Sequence, residues 1–241
     1  MQVKAIKTRV FKENESLVRF ITEHVKRVPD GAVLVVTSKI VALAEGRTVA
    51  ATDVKTKEKY IKSESTFATK TKWVWLTLKD GMVIANAGID ESNADGKLIL
   101  LPKDSFAAAA KLRKALMKHY KVKRLGVVIP DSRVIPLRAG VIAMALGYAG
   151  IKGIRDYRAK KDIFGRPFKF ETTGVVDSLS TAAALVMGEG AEQQPLAVIT
   201  GAPVEFTDRV KKGELLIPLK DDIYLPYFLK LRTPLFKKRD R

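Results

Sequence analysis

Apolar runs in this chain stop abruptly at oxygen-rich segments, and that pattern limits both its fold and its chemistry. The clearest case is GMVIANAGIDESNADG, residues 81–96. Met82 to Ala85 is apolar and leads to Asn86; Gly88 allows a turn, and Asp90, Glu91, Ser92, Asn93 and Asp95 follow. The pattern predicts a strand ending in an oxygen-rich loop. Crowded carboxylates repel one another unless a cation or hydrogen-bond donors offset them. In isolation such a loop reads as a solvated acidic turn. A second segment, GVVIPDS (126–132), shifts the balance, because it too runs from apolar residues into a carboxylate, Asp131, with a hydroxyl beside it. Two strand ends that each offer an Asp can hold hard divalent cations through oxygen ligands. Asp90 and Asp131 are therefore expected to converge, by ending neighbouring strands on one edge of a sheet. Asp131→Asn is then expected to leave the metal-free protein at least as stable, since it removes like-charge repulsion.

The totals exclude several chemistries. The chain has 241 residues, enough for one large domain or two small ones, with 46% hydrophobic and 29% charged residues. It has no cysteine, which rules out disulfides, a thiol nucleophile and Cys-ligated zinc. Its two histidines, His24 and His119, fall in helical patterns and read as surface helix residues, which argues against a Ser-His-Asp triad or a His-rich metal site. The start MQVKAIKTRV lacks the apolar core of a signal peptide. The longest uncharged run, 139–151, is well short of the ~20 residues that span a bilayer. A soluble cytoplasmic protein without membrane partners is expected. The net charge of +18 is compatible with attraction to a polyanion, but no zinc-finger, RNP or helix-turn-helix signature accompanies it. A general bias towards Lys and Arg explains it as well, and it also suits small polyanionic substrates.

Along the chain, residues 1–12 alternate as a half-buried strand does, and 15–27 has helical spacing through Leu17, Phe20, Ile21 and Val25. Ala32 to Thr37 reads as a buried strand ending at Ser38-Lys39, either a phosphate contact or two exposed polar residues. Residues 51–72 are polar with a weak helical pattern near Tyr60, and Trp73 to Leu78 pairs as a hairpin with the strand from Met82. Asp104 or Ser105 caps a helix through His119. A strand is expected over Leu125 to Ile129, a core helix or strand over Val141 to Ala149, and a helix capped by Asp177 and stopped by Gly188. Leu196 to Thr200 is a further strand. From Glu205 on, prolines at 218, 226 and 234 and a basic end suggest an extension wrapping the body or a partner subunit. The division is thus a body over 1–204 and an extension over 205–241. Without a regular βαβ rhythm, a mixed α+β fold is expected, and no Walker or dinucleotide glycine motif is present.

Four segments in order, VVTSKIVALAEGR (35–47), VIANAGIDESN (83–93), AGIKGIRDYRAKKDIFGR (149–166) and DSLSTAAALVMGE (177–189), resemble the coenzyme F-420:gamma-glutamyl ligase family from about residue 1 to residue 201. The resemblance implies mixed sheets with flanking helices in two intertwined parts, and a homodimer. It implies condensation of L-glutamate onto a deazaflavin coenzyme precursor, with GTP as co-substrate and two divalent cations, Mg²⁺ or Mn²⁺. Residue by residue, it assigns Asp90, Asp131, Ser132 (where a Thr usually stands) and Glu189 to the metals. It assigns Thr8, Arg9, Ser38, Lys39, Asn93, Met187 and Gly188 to the nucleotide. The acid to be joined must first be activated, as an acyl phosphate, before an amine attacks it. Cations clamped by carboxylates would neutralise the triphosphate and the developing charge.

The chain also departs from the pattern. Where the family reads Asp-Thr-Phe-Gly-Arg-Pro-Trp-Arg-x-Gly, residues 131–140 read DSRVIPLRAG. The usual Gly, first Arg and Trp are Val134, Ile135 and Leu137; a usual Asp is Ala143 and a usual Lys is Leu43. Three readings follow: a glutamate ligase of the deazaflavin precursor or of another, folate-like acceptor; a non-catalytic descendant that binds nucleotide; and, ranked last, a basic nucleic-acid-binding protein.

Overall fold

The run Ala32–Val36 is buried at every position, as unbroken apolarity demands of a strand covered on both faces. The structure, a computed structural model, describes residues 1–50 and 53–226. In chain order the first elements are β1 (Gln2–Ile6), α1 (Leu17–His24), β2 (Ala32–Val36), α2 (Ser38–Ala44), β3 (Thr48–Ala50) and α3 (Val54–Ser63). There follow β4 (Phe67–Lys70), β5 (Trp75–Lys79), β6 (Met82–Ala85), β7 (Lys97–Ile99) and α4 (Ser105–Tyr120). The last are β8 (Leu125–Val134), β9 (Val141–Ala149), β10 (Ile154–Asp156), β11 (Thr172–Gly174), α5 (Val175–Met187) and β12 (Leu196–Thr200). The architecture is mixed α+β, as expected.

The main sheet has the order β1-β12-β2-β8-β9. Only β2 and β8 run parallel; the other neighbours are antiparallel. Successive side chains of a strand point to opposite faces, so β2 serves two cores. Leu34 and Val36 pack with Phe20 and Ile21 of α1 and with Leu112 and Leu116 of α4. Val33 and Val35 pack with Leu179 and Ala183 of α5. A smaller region, formed by the β4-β5-β6 sheet, the β3-β7 pair and α3, gathers around Ile61, Ile89, Leu98 and Leu100.

Caps explain several boundaries. Ser16 accepts from the Arg19 N–H at the start of α1, and Asp104 accepts from the Ala107 N–H at the start of α4. Asp177, expected to cap α5, does not: Gly174 is the N-cap, and Asp177 lies in the first turn. Its carboxylate instead accepts from the Ala145 N–H of the edge strand β9. Two elements run against expectation. The Ser38-Lys39 pair does not merely end a strand but opens α2. The polar stretch 66–72 contains β4, whose residues pair with β5 from Phe67–Leu78 to Lys70–Trp75. No position of β4 is fully buried, so no apolar run marked it.

The strand expected to stop at Ile129 continues to Val134, past a register shift between Ile129 and Pro130. Proline has no N–H to donate, so the ladder is interrupted there and the strand resumes beyond it. The described part of the C-terminal extension packs on its own body. Phe206 pairs with Ile151, and the Glu214 carboxylate accepts from the Tyr148 hydroxyl and from the Gly153 N–H. Tyr227, Phe228 and the basic end, residues 230–241, lie outside the described residues. Among the described residues no helix is long and apolar enough to cross a membrane.

Candidate functional site

A cavity of about 750 Å³ opens where β2 gives way to α2, and all eleven residues singled out from the sequence line it. Ser38 and Lys39, the first two residues of α2, tie the cavity together. The Ser38 hydroxyl donates to Asp131 Oδ1 at 2.8 Å. The Lys39 ammonium lies 2.7 Å from Asp90 Oδ2 and donates to the Ser92 carbonyl at 2.8 Å. Asp90 and Asp131 therefore converge on consecutive residues of one helix, not on a shared sheet edge. β6 and β8 belong to different sheets, and Asp131 lies inside β8 rather than at its end. The chain reaches Asp90 through a tight turn, Asn86–Gly88, and the isolated pairing of Asp90 with Ile99 fixes it. Gly88 has φ +72°, and a Cβ there would meet the Leu101 side chain at 2.6 Å, so the turn requires glycine.

From the opposite wall, Gly188 ends α5 with φ +82° and turns Glu189 towards Ser132. The Ser132 hydroxyl lies 2.8 and 2.7 Å from the two Glu189 oxygens. Asn93 donates to the Gly190 carbonyl at 3.2 Å, which joins the acidic loop to the same turn. Met187 is buried beneath. Thr8 is buried as well, and its N–H donates to the Gln193 carbonyl at 2.9 Å. Arg9 stands at the rim, but its guanidinium is engaged by Glu15 and Glu23 and lies over the Phe20 ring.

The electrostatics differ across the cavity. Burial pushes the Asp90 carboxyl up, but the Lys39 ammonium and the Ser92 hydrogen bonds outweigh it and hold the group below its ordinary value. Burial pushes the Asp131 carboxyl up and prevails over Arg133 and Ser38, with the Asp90 and Glu189 charges adding to the rise. Asp90, Asp131 and Glu189 thus interact across one cavity. They and Ser132 offer only oxygen donors, the set that suits Mg²⁺ or Mn²⁺. They are not gathered around one point: among the described residues no group of three or more His, Cys, Asp or Glu stands ready to hold an ion. Lys39, Ser38 and Ser132 each engage one of these carboxylates.

One residue of the site escaped the sequence reading. Arg133, two positions after Asp131 and on the same strand face, is only 4% exposed. Its Nη1 lies 3.5 Å from Asp131 Oδ2, and neither terminal nitrogen has a hydrogen-bond partner. The signal was present: the family pattern carries Phe at this position, and a charge replaces it. Of the other departures, Leu43, Val134 and Ala143 line the cavity, whereas Leu137 is fully exposed outside it.

The F420-0:gamma-glutamyl ligase family model matches residues 5–80 and 61–201. The chain belongs to this family. Among curated family proteins, the coenzyme F420:L-glutamate ligase of Archaeoglobus fulgidus is 32% identical over 213 residues, covering 81% of this chain and 85% of the relative. Those of Methanocaldococcus jannaschii and Methanococcus maripaludis strain C7 are 39% and 38% identical over 146 residues, covering 61% of this chain. The match spans 58% of the length of each of these two ligases.

Proposed function

We propose that the protein is an acid–amino-acid ligase that joins L-glutamate to a deazaflavin coenzyme precursor at the expense of a nucleoside triphosphate, with GTP the expected one. The observation that carries this reading is the convergence of Ser38, Lys39, Asp90, Asp131, Ser132 and Glu189, drawn from four separate segments, on one cavity. Membership of the ligase family supports the reaction class. The cavity volume of about 750 Å³ falls within the usual range of ligand sites, about 300–1,000 Å³.

A carboxylate does not react with an amine until one of its oxygens is made a leaving group. In the proposed reaction the terminal phosphoryl group passes to a carboxylate oxygen of the acceptor, releasing the nucleoside diphosphate. The glutamate amine then attacks the acyl carbon, the C–N bond forms, and inorganic phosphate leaves. Asp90, Asp131, Glu189 and Ser132 would hold a divalent cation, which supplies charge neutralisation for the transferring phosphoryl group. Lys39, on a flexible stem, would leave Asp90 for a phosphate oxygen. Ser38 holds the Asp131 carboxylate towards the cavity, and Asn93 braces the acidic loop against the turn after α5.

A homodimer belongs to the same reading. The arm between β10 and β11 exposes Ile163, Phe164 and Phe170, apolar side chains whose burial against a second copy would favour association. Ile163→Ser with Phe164→Ser is expected to lower the mass found by light scattering from two chains to one.

The deciding test is phosphate release from GTP and from ATP with L-glutamate and a panel of acid acceptors. Release that requires nucleotide, glutamate and the deazaflavin precursor together is expected. A second reading has its own observation: Leu43, Val134 and Ala143 give the cavity apolar walls where the family pattern carries Lys, Gly and Asp. Tight nucleotide binding with no phosphate release from any acceptor would favour that reading, a nucleotide-binding descendant without ligase chemistry.

A further inference from the structure

Arg133 is a charge in an unusual place. It sits in β8, 4% exposed, with Nη1 and Nη2 both lacking a hydrogen-bond partner. Its near neighbour is the Asp131 carboxylate at 3.5 Å, and Asp177 and Asp80 act on it from farther away. A guanidinium keeps its proton even when buried, so a fixed positive charge stands behind Asp131 under all ordinary conditions. Burying a charge without hydrogen bonds is costly, and such a group persists only where the surrounding carboxylates hold it.

The second cation of the cavity behaves differently. The Lys39 side chain is 28% exposed and makes direct contacts with Asp90 and Ser92 at the cavity wall. Its stem allows it to move away when a better anion arrives. Arg133 has no such freedom, because its side chain is enclosed and its backbone is fixed in a strand pairing, opposite Ile142. Five carboxylates line the cavity, Asp90, Asp95, Asp131, Glu189 and Glu192, and of these Asp90 and Glu189 act on Asp131. One of them, Asp131, already faces a permanent countercharge on its Oδ2 side and the Ser38 hydroxyl on Oδ1.

We infer that Arg133 takes the place of one of the two divalent cations, so that this chain binds a single divalent cation with its nucleotide. The remaining cation belongs to the Asp90–Glu189 side of the cavity, with Asp131 shared between it and the guanidinium. A second cation at Asp131 would meet the fixed charge of Arg133, and like charges in a poorly solvated site repel strongly. The inference rests on the nucleotide-and-metal reading above but goes further, because it fixes the count of ions.

The test is a direct count. The full chain is saturated with a non-hydrolysable GTP analogue and titrated with Mn²⁺, and free Mn²⁺ is followed by its electron paramagnetic resonance signal. One Mn²⁺ per chain is expected for the wild type. Arg133→Met, which removes the charge and keeps much of the volume, is expected to bind two; Arg133→Lys, which keeps the charge, is expected to bind one. Two ions in the wild type, or one in a folded Arg133→Met protein, would overturn the inference while leaving the nucleotide-and-metal reading intact. If Arg133→Met does not fold, the wild-type and Arg133→Lys counts decide. No bound Mn²⁺ at all in the wild type would overturn the inference and the metal reading together.

Discussion

Two carboxylate–cation pairs face one cavity, Asp90 with Lys39 and Asp131 with Arg133, and they are built in opposite ways. The first is short, 2.7 Å, partly open to solvent, and shared with the Ser92 carbonyl and hydroxyl. The second is longer, 3.5 Å, with the arginine enclosed and its terminal nitrogens without hydrogen bonds. Burial acts on both carboxylates, but the outcome differs. Hydrogen bonds hold Asp90 below its ordinary value, whereas Asp131, with fewer donors and two carboxylate neighbours, is pushed above it. Solvent contact and hydrogen bonding make the Lys39 pair exchangeable. Enclosure makes the Arg133 pair part of the fold.

The largest expected effect follows from breaking the enclosed pair. Repulsion from Asp90 alone predicts that Asp131→Asn is neutral or stabilising. Arg133 reverses that expectation, because the change leaves a buried guanidinium without its nearest countercharge. Breaking such a pair costs about 3–5 kcal/mol, and Asp177 and Asp80 still act on Arg133, so the lower end applies. A loss of about 3 kcal/mol corresponds to roughly 6–12 °C in a chain of this size. Calorimetry of metal-free Asp131→Asn should therefore show a clear fall in melting temperature. An unchanged or raised value would mean that repulsion dominates and that the two pairs are alike.

Lys39→Ala tests the exchangeable pair. Removing an ammonium from a partly exposed carboxylate should change folding stability by about 1 kcal/mol or less. If Lys39 transfers to a phosphate, the same change should weaken nucleotide binding by about 1.5–3 kcal/mol, or roughly 10- to 100-fold. Titration calorimetry with GTP, alongside a melting curve, separates the two effects. A large fall in melting temperature with unchanged affinity would make Lys39 as structural as Arg133.

How much of this was legible in the sequence depended on how each element is buried. β2 is apolar at every position because both faces are covered, and it was read directly. α4 was read from its spacing and from Asp104, which does cap it. α2 was hidden because Ser38 and Lys39 look like a polar strand end and the seven-residue helix is too short to show a period. β4 was hidden because no position in it is fully buried. All the proposed site residues share one cavity, although Thr8, Arg9, Asp131 and Ser132 lie outside the four segments that carry the family resemblance. The geometry behind that convergence was not legible. A shared sheet edge was expected, but two consecutive residues of an unread helix bring Asp90 and Asp131 together. Arg133 went unread because an arginine in a strand is normally solvated, and only the three-dimensional packing shows that this one is enclosed.

The smallest effect belongs to a third pair, Arg9 with Glu15 at the cavity rim, which extends the comparison to the surface. Glu15 accepts from the Arg9 guanidinium and from the Lys12 N–H at 3.1 Å. The Arg9 hydrogen bond outweighs the opposing effect of burial and lowers the carboxyl from 4.5 to about 2. A carboxyl that is more acidic in the folded protein than in the unfolded chain adds stability while it is ionised in both states. The contribution is complete above about pH 4.5 and is lost as the pH falls towards 2. Glu15→Gln should lower the melting temperature slightly at pH 7 and pH 5, and the gap to the wild type should close between pH 4.5 and pH 2. Solvent screening at the rim keeps the gap small, and added salt should shrink it at neutral pH. Melting curves at four pH values and two salt concentrations would suffice. A gap that stayed constant down to pH 2 and ignored salt would show that Glu15 acts through packing and neutral hydrogen bonds. The graded series from enclosed to exposed pairs would then stop at Lys39.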